Sequence, residues 1–161
     1  EELIAALDKD GEVILKPVYR QDAISRSADD IGKTYIEVDL ARQKLWYYNN
    51  GVMELETNIV SGNPNRGNGT PTGTDRVWSR ERDRYLTGET YRSKVNYWVP
   101  INWSGIGLHD ATWRSNFGGN IYLSNGSHGC INVPPSVMGN LYGKTFNGMP
   151  VIVYDSATQK I

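Results

Sequence analysis

The chain holds one cysteine and two histidines, and all three fall within the 22 residues from His109 to Cys130, counted inclusively. The segment opens His109-Asp110 and closes Ser127-His128-Gly129-Cys130-Ile131-Asn132. A cysteine that acts as a nucleophile needs a base to raise its thiolate fraction and a group to orient that base. It also needs backbone N–H donors for the oxyanion formed when a carbonyl is attacked. Every one of these parts is present in the segment. Cys130 supplies the sulfur and His109 or His128 the base. Gly129 removes bulk beside the sulfur, so that a carbonyl can reach the N–H groups of Gly129 and Cys130. Most free cysteines are small buried hydrophobes, but a cysteine beside a histidine in a glycine-punctuated loop makes a poor core. The chemistry these parts could do is attack of the sulfur on a carbonyl.

Both histidines are chemically able to serve as the base. Residues i and i+2 of a strand share a face, which would set His128 beside Cys130 with Cα atoms about 6.6 Å apart. Their side chains would then run parallel, an awkward geometry for an imidazole–sulfur hydrogen bond. A histidine on a neighbouring strand can face the sulfur directly, which favours His109. His128 then orients the loop, binds substrate or is hydrogen-bonded for structure. Ser127 offers a carbonyl and a hydroxyl to hold the His109 imidazole, against the plainer role of a turn residue. Asn132 is expected to fix the loop backbone. Asp110 either pairs with a histidine or, more commonly for such a residue, caps or is solvated. Tyr97, Trp98, Trp103 and Trp113 are core or cleft wall, and core is favoured for each. His109, Asp110, His128 and Cys130 are also acceptable zinc ligands. However, no C-x-x-C or H-x-x-x-H spacing accompanies them, and the glycine beside Cys130 suits acyl transfer better, so a zinc site is not expected.

The elements that must position these residues read mostly as strands. Residues 34–40 alternate, with Ile36, Val38 and Leu40 on one face. A second strand (43–48) leads into Asn49-Asn50-Gly51, a tight-turn signal, and a third follows over 52–60. Residues 61–73 are loop, 74–79 a short strand, and 80–93 a charged stretch without apolar period that suggests a mobile flap. Residues 94–102, interrupted by Pro100, and 105–109 read as strands. Pro134-Pro135 can open a short helix, and 150–154 closes the domain as a buried strand. Residues 1–33 carry a short helical pattern and then a polar, linker-like stretch, and some thirty residues cannot bury a core of their own. They are read as the tail of an upstream domain plus a linker, and 34–161 as the catalytic domain.

Composition narrows the partners. At 161 residues, 39% hydrophobic and 22% charged, with a net charge of −1, the chain has the balance of a globular protein. It lacks the basic footprint of a nucleic-acid binder. No apolar run approaches the roughly 18 residues of a membrane span, and a single cysteine allows no internal disulfide.

The pattern His109, seventeen residues, then Ser127-His128-Gly129-Cys130-Ile131-Asn132 resembles the signature of the L,D-transpeptidase (YkuD-type) catalytic domain. The resemblance extends to the opening strand pair, the 61–73 loop and the closing 150–154 strand, and so covers about residues 34–155. Residues 1–33 are similar to the end of an accessory domain that precedes this one in some Gram-positive members. The resemblance implies a mainly β, sandwich-like fold with one or two short helices, and the upstream histidine as base. It further implies that Cys130 attacks the third residue of a peptidoglycan stem tetrapeptide, expels D-alanine, and passes the acyl group to an amine on a neighbouring stem. Carbapenem β-lactams are implied as covalent inhibitors. An extracytoplasmic, cell-wall setting is implied too, with a secreted or membrane-anchored parent. Papain-like and NlpC/P60-type peptidases place Cys before His, the reverse of the order here. A carboxypeptidase would use the same residues with water as acceptor, and a non-catalytic peptidoglycan-binding module would have no use for Cys130.

Overall fold

β-Branched and aromatic side chains at alternate positions build nine strands in a computed structural model that describes residues 30–88 and 91–158. The expected tail and linker lie, up to residue 29, outside the described residues. In β1 (Tyr35–Asp39) Ile36 and Val38 point inward, and β2 (Lys44–Asn49) turns Leu45 and Tyr47 the same way. Asn50 and Gly51, at φ 50° and 82°, form the two-residue link to β3 (Val52–Asn58). Two positive φ values are what a type I′ hairpin requires. β4 (Gly73–Arg76) is shorter than the strand expected there; beyond it Val77 is buried in the core and bonds to the backbone of Met149 and Gly148.

The stretch expected to be a mobile flap is instead a hairpin, formed by β5 (Glu81–Thr87) and β6 (Arg92–Pro100). Its first strand buries no face. Pairing with β6 holds it, together with Arg–aromatic contacts such as Arg92 over Tyr85, and this explains the missing apolar period. β7 (Gly107–Asp110) and β8 (Ile131–Val133) complete the second sheet. α1 (Ile121–Asn125) and α2 (Pro135–Lys144) are the two short helices, α2 with proline at its first turn, and β9 (Pro150–Tyr154) ends the domain.

The first sheet has the order β3-β2-β1-β9-β4 and the second β5-β6-β7-β8. Both contribute to one core. Ile36, Val38, Val151 and Val153 come from the first sheet, Val99, Leu108, Ile131 and Val133 from the second, and Met138 and Leu141 from α2. This is the sandwich-like, mainly β architecture expected. Its consequence for the site lies in the second sheet, where β7 and β8 run parallel with Leu108 opposite Ile131 and His109 opposite Asn132. Leu108 and Ile131 face the core, so His109 and Asn132 face the other way.

Candidate active site

Cys130 immediately precedes β8, two residues before Asn132, and so shares the face of Asn132 and His109. With strands about 4.8 Å apart and a rise of about 3.3 Å per residue, the Cα atoms of His109 and Cys130 lie roughly 8 Å apart. All three side chains line one cavity of about 230 Å³. Its other walls include Tyr91 and Leu86 of the β5–β6 hairpin, Trp113 and Arg114 from the His–Cys spacer, and His128.

His109 is buried, and its two ring nitrogens have opposite tasks. Nδ1 lies 2.9 Å from the carbonyl oxygen of Asp110, which can only accept. The Arg114 Nε–H donates to Asn132 Oδ1 at 2.8 Å, which turns the Asn132 NH₂ toward His109 Nε2 at 3.1 Å. The network therefore assigns a neutral imidazole with its proton on Nδ1 and a lone pair on Nε2. Burial, chiefly, holds His109 below the usual imidazole range, and the Arg114 charge adds to that, while Asp110 works in the opposite direction. A neutral histidine whose only acceptor nitrogen is held by a single amide N–H becomes a base once that amide is displaced.

The Cys130 thiol is half-buried and donates to the Gly105 carbonyl at 3.6 Å. Desolvation pushes it up to about 11, and the N–H of Gly107 offsets part of that shift. At neutral pH the sulfur therefore rests as a thiol and needs the base.

The turn before Cys130 is stiff. Gly129 has φ 122°, a conformation that a side chain would strain. Its N–H donates to Ser127 Oγ at 3.0 Å, and the Ser127 hydroxyl in turn donates to the Cys130 carbonyl. Thr70, from the long loop, donates its hydroxyl to the Gly129 carbonyl at 2.7 Å and accepts the Gly62 N–H at 2.9 Å. The Ser127 N–H donates to the Ser61 carbonyl, while buried Gln43 accepts the Ser61 N–H. The 61–73 loop is thus the outer brace of the cysteine turn.

Several expectations change in detail. The carbonyl that orients His109 belongs to Asp110; Ser127 instead closes its own turn, because its hydroxyl lies over Cys130 and its carbonyl accepts from Asn63. The Asp110 carboxylate pairs with no histidine. It accepts from the N–H groups of Asn96 and Tyr97, replacing the ladder where β6 and β7 part. The Gly129 N–H, an expected oxyanion donor, is committed to Ser127 Oγ. Asn132 does more than hold backbone, since its amide links Arg114 to His109. His128 is exposed and stacks on Tyr91, with ring centroids 4.8 Å apart. Trp98 is core, while Tyr97 packs half-buried against the core and Tyr142. Trp113 lines the cavity half-exposed, and Trp103 is 81% exposed against Trp78. Arg114, Thr70 and Tyr91 were not singled out from sequence. Only Arg114, inside the His–Cys spacer, stood where the motif could have pointed to it. Among the described residues no three His, Cys, Asp or Glu side chains converge as a metal site.

The family model described as the YkuD L,D-transpeptidase catalytic domain matches residues 33–153. L,D-transpeptidase 1 of Mycobacterium tuberculosis is 34% identical over 84 residues, which is 46% of this chain and 32% of that protein. A crystal structure of an Enterococcus faecium L,D-transpeptidase carrying a Cys-to-Ser mutation is 49% identical with a TM-score of 0.75, over 78% of this chain and 51% of that one. The catalytic domain of the E. faecium L,D-transpeptidase acylated by ertapenem gives 49% and 0.69, over 76% of this chain and 98% of that one. The chain thus spans 32% of the length of the curated relative and about half of the crystallised protein.

Proposed function

Because the chain belongs to the YkuD family of L,D-transpeptidase catalytic domains, we propose that it cross-links peptidoglycan between the third residues of two stem peptides, with Cys130 as nucleophile. The observation that carries this reading is the neutral, buried His109, which lines the same cavity as Cys130 with its Nε2 held only by the Asn132 amide.

When a stem tetrapeptide enters, Nε2 of His109 exchanges the Asn132 amide for the thiol proton. The thiolate attacks the carbonyl carbon of the third residue and places negative charge on its oxygen. The Cys130 N–H can receive that oxygen, joined by the Gly129 N–H once the Ser127 hydroxyl turns away. Collapse breaks the amide bond, and the His109 imidazolium gives its proton to the departing amine of D-alanine. A thioester remains on Cys130. The acceptor amine then attacks it, losing a proton to Nε2, and the thiolate that leaves takes that proton back. No step draws on a metal or organic cofactor.

The ertapenem-acylated E. faecium domain supports the same thiol as a target of carbapenems here. Such a substrate sets the domain on the cell-wall side of the membrane, in a secreted or anchored parent. Among the described residues no helix is long and apolar enough to cross a membrane.

Incubation with disaccharide-tetrapeptide and mass spectrometry of the products tests the reading. Cross-linked dimers lighter by one D-alanine are expected, and none from Cys130→Ala. Tripeptide monomers alone would make the enzyme a carboxypeptidase. Undiminished turnover by Cys130→Ala would end the nucleophile assignment.

A further inference from the structure

Among the described residues the wall of the catalytic cavity holds one permanent cation, Arg114, and no lysine, aspartate or glutamate. The guanidinium is half-buried and spends only its Nε–H, on Asn132. Among the described residues no carboxylate or carbonyl engages its two terminal nitrogens. Burial lowers its affinity for the proton, and among the described residues no nearby acid acts in the other direction. A partly desolvated guanidinium that keeps its planar pair of donors unused suits a carboxylate, which it can bind through two parallel N–H···O bonds.

The position of Arg114 identifies which carboxylate. The group expelled from the thioester-forming step is an amino acid, and its amine must take a proton from His109. Within that amino acid the nitrogen and the carboxylate carbon are about 2.5 Å apart. Arg114 stands one amide group from His109, on the far side of Asn132. A leaving residue with its amine at Nε2 is long enough to turn its own carboxylate to the guanidinium. We propose that Arg114 anchors the free carboxylate of the acyl donor's leaving residue, and so selects donors that end in a carboxylate. The anchor rests on the acyl-transfer reading above. A carboxylate set beside the strained ring of a β-lactam offers the same chemistry and should meet the same anchor.

The test compares a tetrapeptide with its C-terminal carboxamide, as kcat/KM, in wild type, Arg114→Gln and Arg114→Lys. A parallel arm compares the rate of Cys130 acylation by a carbapenem and by its methyl ester, read by intact mass. Arg114→Gln also disturbs Asn132 and hence His109, but the acid-to-neutral ratio within each protein cancels that effect. Wild type should favour the acid about tenfold to a hundredfold, the range of a lost charge-assisted contact. The ratio should fall close to one in Arg114→Gln and recover in part in Arg114→Lys. Equal preference in wild type and Arg114→Gln, or none in wild type, overturns the anchor. Should the tetrapeptide go untouched while the carbapenem acylates Cys130, the stem-peptide reading fails and the carbapenem ratio still decides the anchor. Should neither acylate Cys130, both fall.

Discussion

Thr70→Val replaces a hydroxyl with a methyl of nearly the same shape and removes the clamp beneath the cysteine turn. Thr70 is 7% exposed, and its oxygen serves two buried backbone groups, the Gly129 carbonyl at 2.7 Å and the Gly62 N–H at 2.9 Å. Neither neighbour can shift easily to compensate. A Cβ at Gly62 would stand 1.9 Å from the Asn68 carbonyl oxygen and 2.8 Å from the Gly129 Cα, so the two segments are already in close contact. Each unpaired buried group costs about 1–3 kcal/mol, so the pair costs about 2–6 kcal/mol. Against a typical total of about 5–15 kcal/mol the domain should still fold. At roughly 3–6 °C per kcal/mol for a domain of this size, the melting temperature should fall by about 6–36 °C. The Gly129 carbonyl also belongs to the residue just before the nucleophile, and misplacing a nucleophile by about 1 Å can cost about a hundredfold in rate. The assay is a thermal melt paired with the rate of Cys130 acylation by a carbapenem, both well below the midpoint. Thr70→Ser keeps both hydrogen bonds and should lose about 1 kcal/mol, the worth of its methyl group. A Thr70→Val protein that melts within 2–3 °C of wild type, on the same scale, and acylates at the same rate would refute the clamp. So would a Thr70→Ser protein damaged as badly as Thr70→Val.

Burial keeps His109 neutral below the usual imidazole pKa, so the unfolded chain binds a proton that the folded chain does not. Stability should therefore be retained above about pH 6.5 and decline as pH falls below it; His109→Gln should flatten that part of the melting temperature against pH, and an unaltered slope would contradict the assignment. With the Cys130 thiol pushed up to about 11, its alkylation rate by iodoacetamide should still climb between about pH 9 and 10, above the free-thiol reference of about 8.5. A plateau near pH 8 would show that the sulfur is already ionised at rest by an imidazolium partner.

The features legible in the linear chain are those with a short-range signature. Alternation placed Ile36, Val38 and Leu40 on one face because side chains in a strand change sides at every residue. Asn50-Gly51 marked its turn because both positions need positive φ. Pro135 opened α2 because a helix has no intrahelical partner for its first N–H groups. The candidate nucleophile and bases were visible because their chemistry is confined to a few residue types at a fixed spacing. The tertiary structure alone decided what holds them. The carbonyl on His109 is a main-chain atom that every residue possesses, so nothing in the sequence could point to Asp110 in place of Ser127. The β5 strand is held by an edge ladder rather than by a buried face, and a ladder leaves no apolar period. Thr70 braces Gly129 across 59 residues of chain, and Arg114 is hydrogen-bonded to His109 by way of Asn132 on an adjacent parallel strand. Such contacts depend on which strands lie side by side, and that pairing is set by burying the shared core of two sheets rather than by any local run of residues.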